Sequence, residues 1–128
     1  MTTDLTMLVW SAVLAFLQWV PYMIGRTSGW RLPVLVGNRD NTPPDAPWVA
    51  RAVRAQANML ENLPVFAVLV LVAHIAVPGN AMVVLGTELF FWARLAYAAI
   101  YIAGIPWLRT LAWLVSVIGM VLILAQIA

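Results

Sequence analysis

Residues 48–77 read WVARAVRAQANMLENLPVFAVLVLVAHIAV, a polar segment that runs directly into an apolar one. Since roughly 20 apolar helical residues cross the ~30 Å hydrocarbon core of a bilayer, a helix over this stretch is long enough to span a membrane and extend beyond it. Four polar residues near its start are spaced three, four and three apart and form one helical stripe: Arg51, Arg54, Asn58 and Glu61. The stretch therefore predicts a membrane-spanning helix with one polar face.

The composition of the whole chain agrees with a membrane protein. The 128 residues are 64% hydrophobic and only 9% charged, more apolar surface than a soluble domain of this size can bury. The absence of cysteine excludes disulfides and a thiolate nucleophile, and the single histidine, His74, argues against a zinc centre and a Ser/His triad. The net charge of +2 is too small to suggest nucleic acid. We therefore expect no metal and no nucleic-acid partner.

Three further apolar runs are long enough to cross a bilayer. The connection after the first run is polar and rich in Gly, Pro and Asn, whereas the motifs VPGNA and GIP make the other connections short. Helices joined by mostly short connections pack as antiparallel neighbours, so we expect an all-α, up-down four-helix bundle in a single domain over residues 1–128. The predicted helices cover residues 5–24, 48–77, 82–103 and 107–127.

The placement of arginine predicts the orientation of the bundle. The N-terminal run lacks a basic segment and an A-x-A cleavage site, so we interpret it as a retained span and not a signal peptide. Arginines occur in the first and third connections and at the start of the second helix, but not in the second connection or at either terminus. By the positive-inside rule, both termini face away from the cytoplasm. We expect a protein of the bacterial inner membrane.

The third predicted helix carries a second polar stripe, Arg94, Tyr97 and Tyr101, spaced three and four apart. At about 1.5 Å per residue, Glu61 lies about 24 Å and Arg94 about 21 Å from the outer surface. An ionised side chain at such depth costs about 2.5–3.5 kcal/mol unless it is paired or hydrated. We therefore predict an ion pair between Glu61 and Arg94, within one chain or between chains.

Structural explanations of these stripes stay open. The arginines at the start of the second helix could simply anchor it by snorkelling, and the tyrosines could belong to an interfacial aromatic belt. The deeper polar residues could pair for structural reasons alone. Glu88, in the outer half of the third helix, has no evident partner.

Two motifs give these stripes a family resemblance. RAQANMLENLPVF, residues 54–66, and ARLAYAAIY, residues 93–101, resemble the second-helix and third-helix signatures of the MAPEG superfamily, the membrane-associated proteins in eicosanoid and glutathione metabolism. The likeness in motif is to leukotriene C synthase and the microsomal glutathione transferases. The four-helix plan matches over nearly the whole chain, but the first connection and the fourth helix match only in general character.

The resemblance implies a homotrimer that binds glutathione between subunits, near the cytoplasmic face. It implies that Tyr97, Arg94 and Arg109 serve catalysis, although the spacing of Arg109 from Tyr101 departs from the family by about one residue. An arginine beside a thiol favours the reactive thiolate, and other arginines suit carboxylates. The implied glutathione contacts are Arg54, Gln56, Asn58 and Glu61, then Arg94, Tyr97 and Tyr101 of the adjoining subunit, with Arg26 and Arg31 as candidates for a carboxylate.

The function that the resemblance implies is a membrane-embedded, glutathione-dependent transferase or peroxidase. Its second substrate would be a lipophilic electrophile or a lipid hydroperoxide that arrives from the bilayer. Ala57 stands where several relatives carry a basic residue, so the match supports a glutathione site more than any particular electrophile. Loss of activity, or the use of another thiol, stays open for a bacterial-type member. Two alternatives stay open: a non-catalytic MAPEG-like scaffold, and a small four-helix drug transporter that uses Glu61 or Glu88 as its membrane-embedded acid.

Overall fold

The computed structural model describes all 128 residues, and every regular element in it is helical. Four helical stretches are long and apolar enough to cross a membrane, which confirms the predicted fold class. The first stretch consists of two helices joined end to end, and a short helix follows it. The elements are α1 (Thr3–Leu17), α2 (Trp19–Gly29), α3 (Leu32–Val36), α4 (Pro47–Ala76), α5 (Ala81–Ala103) and α6 (Pro106–Ile127).

The first span differs from its predicted bounds in two ways. It is interrupted at Gln18 and continues to Gly29, five residues past the predicted end at residue 24. Pro21 explains the interruption, because proline has no N–H to donate to the carbonyl of Leu17 four residues earlier. Gln18 itself keeps helical dihedral angles (φ −68°, ψ −11°), so the chain resumes as a helix directly. The short α3 was not predicted.

Local sequence signals fix the ends of the other spans. Pro47 and Pro106 each begin a helix at a position where the missing N–H costs nothing. The Asn80 side chain caps α5 by accepting hydrogen bonds from the N–H groups of Met82 and Val83 at 2.8 and 3.1 Å. Gly104 ends α5 in the left-handed conformation (φ +85°). The resulting tight turn holds the first turn of α6 beside the last turn of α5.

Helix α5 lies at the centre of the bundle and contacts α1, α4 and α6. The rings of Phe66 and Phe90 stack at 3.8 Å between centroids in the α4–α5 core. Between α5 and α6 the backbones themselves meet, because a Cβ on Gly86 would lie only 2.6 Å from the carbonyl oxygen of Gly119, and the converse also holds. Glycine is therefore required at both positions of this crossing.

The two ends of the bundle differ in charge. At one end, which we call the terminal end, His74 Nδ1 lies 3.0 Å from the Asp4 carboxylate, and Asn80 donates to Gln126 at 3.1 Å. We call the opposite end, which carries Arg26, Arg51, Arg54 and Arg109, the arginine end. There Arg26 makes a bidentate contact with Asp45, at 3.0 and 2.9 Å. This contact closes the connection between the first two spans.

Candidate functional site

A polar groove opens between α4, α5 and α6 at the arginine end, with a volume of about 360 Å³. Two smaller cavities, of about 190 and 140 Å³, adjoin it, and all three share Arg109. The groove therefore brings together the polar stripes that spacing predicted on the second and third spans, except for Arg51 and Arg94. We call the largest of these cavities the polar groove. The side chains that line it are Arg54, Ala57, Asn58, Glu61, Tyr97, Tyr101 and Arg109.

Two guanidinium groups lie close to Tyr101. The Arg54 Nε donates a hydrogen bond to the Tyr101 hydroxyl at 3.0 Å. The Arg109 guanidinium lies 4.4 Å from the centroid of the same ring, within the range of a cation–π interaction. Since the hydroxyl accepts from Arg54, its own proton is free to be donated to a bound ligand. Tyr97 packs edge-on against Tyr101, with 5.5 Å between ring centroids.

The arginines of the groove form no salt bridge within the chain, and they outnumber the one carboxylate that lines it, Glu61. Arg51, next to the groove, donates instead to the carbonyl of Ile102 at 3.0 Å. The two close acid–base contacts of the chain, Asp4–His74 and Arg26–Asp45, lie elsewhere, and Glu61 forms neither. Unpaired arginines around one cavity create a positive potential that favours anionic ligands.

Both motifs contribute to the groove within one chain. The resemblance implied that Tyr97 and Tyr101 would complete a pocket from the adjoining subunit. Within one chain, Tyr101 already accepts a hydrogen bond from Arg54, and Tyr97 lines the groove beside Asn58. A contribution from an adjoining subunit stays a prediction. The physical reason is that α4 and α5 are antiparallel neighbours, so their polar stripes meet at the same end.

Arg94 does not line the groove. Its side chain is fully buried inside the bundle and its guanidinium lies 4.2 Å from the centroid of the Tyr97 ring. None of its three nitrogens has a hydrogen-bond partner. The predicted Glu61–Arg94 ion pair is absent within the chain, because Glu61 faces the open groove while Arg94 faces the interior.

Three other predicted contacts lie away from the groove. Gln56 is two residues from Arg54 on α4, so the ~100° turn per residue points it to another face. Arg26 is held by Asp45 and packs over the Trp30 ring at 4.5 Å. Arg31 is exposed at the start of α3. A single chain therefore brings together Arg54, Asn58, Glu61, Tyr97, Tyr101 and Arg109, but not these three.

Two residues of α6 line the site and were not predicted. Thr110 and Trp113 form the wall of the 190 Å³ cavity together with Asn58, Tyr97 and Arg109. Their spacing after Arg109, one and four residues, was a usable signal, because it keeps Trp113 on the face of Arg109. The weak resemblance of the fourth helix hid it. No group of three or more His, Asp or Glu side chains is placed to hold a metal ion.

A comparison with protein-family models gives one match, to the MAPEG family, over residues 5–128. The chain belongs to the MAPEG family. No curated protein and no solved structure matches it. MAPEG proteins are four-helix bundles of the membrane, so with its four apolar spans the chain is an integral membrane protein. The family includes glutathione transferases and peroxidases as well as non-catalytic members, and its members commonly use glutathione.

Membership in the MAPEG family confirms the resemblance drawn from the two motifs. It covers essentially the whole chain, including the fourth helix that resembled the family only in general character. The two motifs of this MAPEG protein meet in the polar groove, which makes the groove the candidate site of its chemistry.

Proposed function

We propose that this MAPEG protein is a glutathione-dependent transferase or peroxidase that acts on lipophilic electrophiles or lipid hydroperoxides. Glutathione binds in the polar groove. The observation that supports this most is that Arg54 and Arg109 both lie close to Tyr101 and that neither forms a salt bridge within the chain, so that two arginines face the single carboxylate of Glu61 in the groove. A tripeptide with two carboxylates and a thiol supplies the anionic groups that such a groove favours.

Arg109 and the tyrosines act on the sulfur. The thiolate is the reactive form of a thiol, and a guanidinium within a few ångströms favours it. Arg109 is half-buried at the point where all three cavities meet, so its charge is less screened there than in water. The hydroxyls of Tyr97 and Tyr101 can donate hydrogen bonds to the same sulfur.

Residues of α4 hold the rest of the tripeptide. Arg54, and Arg51 in the adjoining 140 Å³ cavity, suit its carboxylates through bidentate contacts. Glu61 accepts hydrogen bonds from its ammonium group, and Asn58 both donates and accepts. In the transferase reaction the sulfur forms a bond to an electrophilic carbon, whose leaving group departs with the bonding electrons, and the thiol proton passes to solvent.

The second substrate reaches the sulfur from the lipid side. Leu111 and Leu114, which flank the cavity residues of α6, are exposed apolar side chains that suit contact with lipid. An electrophile dissolved in the bilayer can therefore approach Arg109 without crossing water. The positive-inside rule puts the arginine end in the cytoplasm, where a soluble thiol enters the groove from the opposite side.

We propose that the protein assembles as a homotrimer. Gln56 lies away from the groove of its own chain, and a neighbouring chain is the means by which it can reach a groove. Arg26 is already bound to Asp45, so its proposed role toward a glutathione carboxylate requires that contact to open. The homotrimer and the bacterial inner membrane stay predictions.

The test is calorimetry of glutathione with the detergent-purified protein, compared with Arg54→Ala and with Arg39→Ala. The second variant removes the same charge at an exposed position outside the groove. Saturable binding that Arg54→Ala loses and Arg39→Ala keeps supports the proposal. The absence of binding at millimolar glutathione to a folded protein contradicts it and favours the scaffold or another thiol. A transporter would instead lose drug efflux on Glu88→Gln while tolerating Arg109→Gln.

A further inference from the structure

The connection between the first two spans is folded onto itself at the arginine end. The ring of Trp30 is buried between two guanidiniums, with that of Arg26 at 4.5 Å and that of Arg39 at 5.5 Å. Arg26 in turn holds Asp45, nineteen residues further along, through two hydrogen bonds. The connection therefore has a fixed shape and orientation relative to the helix ends.

Arg39 fixes the second half of the connection. It adopts the left-handed conformation (φ +61°), uncommon for a residue with a side chain. In this conformation its guanidinium returns to the end of α3 and donates to the carbonyl of Leu35 at 3.1 and 2.9 Å. Two of its five N–H groups at most are used there, and the side chain is exposed.

This fixed shape leaves an apolar face with basic neighbours. Leu32 and Val36 are 69% and 76% exposed, and their spacing of four puts them on the same face of α3. Arg31 precedes this face and Arg39 follows it, and neither is paired with an acid. Apolar side chains flanked by arginines are the pattern of segments that lie in the interfacial region of a membrane.

We propose that α3 lies on the membrane surface at the arginine end and that Arg31 and Arg39 bind the headgroups of anionic phospholipids. The segment connects two helices that both leave the bilayer at this end, so it is held at the surface whatever else it contacts. The apolar face of α3 packs against the upper part of the lipid acyl chains. The guanidinium groups of the two arginines donate hydrogen bonds to the lipid phosphates, whose geometry they match. The proposal does not depend on glutathione.

The absence of cysteine allows its test with single nitroxide labels in an otherwise unmodified chain. We would label Val36→Cys and, as the control on the exposed loop, Asn41→Cys, in phosphatidylcholine vesicles that contain phosphatidylglycerol. The label at 36 is expected to collide mainly with oxygen, and the label at 41 mainly with a water-soluble nickel chelate. The proposal is overturned if the label at 36 collides readily with the chelate. It is also overturned if the label is shielded from both oxygen and the chelate, as it would be beneath a second copy of the chain.

The headgroup contact is tested by the preference of the protein for spin-labelled phosphatidylglycerol over phosphatidylcholine. Arg31→Gln combined with Arg39→Gln is expected to remove the part of this preference that the two charges supply. Arg31→Lys combined with Arg39→Lys keeps both charges and is expected to retain it. An unchanged preference in the glutamine variant overturns the anionic-lipid contact.

Discussion

The hydrogen bond from Arg54 Nε to the Tyr101 hydroxyl, 3.0 Å long, joins α4 to α5 across the polar groove. It is the direct link between the two sequence motifs, and it leaves the Tyr101 proton available to a ligand.

Replacement of Tyr101 by phenylalanine removes this acceptor and the donor to the ligand, while the ring close to Arg54 and Arg109 remains. A hydrogen bond to a charged group contributes about 1.5–3 kcal/mol, so glutathione affinity is expected to fall roughly 10- to 100-fold. Calorimetry measures the change. Tyr22→Phe is the control, because the Tyr22 ring packs near Arg26, outside the groove; equal losses in both variants would contradict a specific role for Tyr101.

Replacement of Arg109 by glutamine removes the charge that the three cavities share. Loss of one electrostatic contact to a developing anion costs on the order of 100-fold in turnover. We expect kcat to fall by about this factor, with a smaller change in glutathione affinity, since the carboxylate contacts are retained. Turnover of a lipophilic aryl halide and the ultraviolet absorbance of the bound thiolate are the measurements. A variant with normal thiolate absorbance would remove Arg109 from the chemistry.

Replacement of Arg94 by methionine exchanges a buried, unpaired guanidinium for an apolar side chain of similar length. Since such exchanges of buried charge are often neutral or stabilising by about 1–4 kcal/mol, we expect no loss of resistance to unfolding in dodecyl sulphate. Glutathione affinity is expected to change little, because Arg94 does not line the groove. Loss of binding by a folded Arg94→Met protein would show that the side chain reaches the ligand.

Replacement of Gly119 by alanine places a Cβ 2.6 Å from the carbonyl oxygen of Gly86. The helices must separate to admit it, and such overpacking costs about 1–3 kcal/mol. We expect unfolding at lower dodecyl sulphate, followed by circular dichroism. Gly29→Ala is the matched control, since a Cβ there meets nothing within 4 Å; comparable destabilisation by both would indicate a general effect of the substitution.

The sequence was sufficient for the four spans because membrane-spanning helices are defined by length and apolarity, which are local properties. Helical spacing was likewise sufficient to collect Arg54, Asn58 and Glu61 on one face. The break in the first span after Leu17 also had a local signal, Pro21, but hydropathy alone does not detect such a break.

The burial of Arg94 inside the bundle was not predictable from helical spacing. Arg94 and Tyr97 are three residues apart and share a helical face in any periodic reading, yet one faces the interior and the other the groove. The difference arises from where α4 and α6 cross α5, a property of the packed bundle. Trp113 was missed for a different reason: its spacing of four from Arg109 was a usable signal, but the fourth helix resembled the family only in general character.

The backbone contact between Gly86 and Gly119 has a mechanical consequence for ligand entry. Helices α5 and α6 are in backbone contact and are joined by a tight turn at one end, so they are expected to move as one rigid unit. Of the helices that line the groove, only α4 is outside this α5–α6 unit. Hydrogen bonds from Arg51 and Arg54 join α4 to α5 at the mouth of the groove. A change in the width of the groove mouth would therefore have to come from α4, and these two hydrogen bonds are the contacts that it would break.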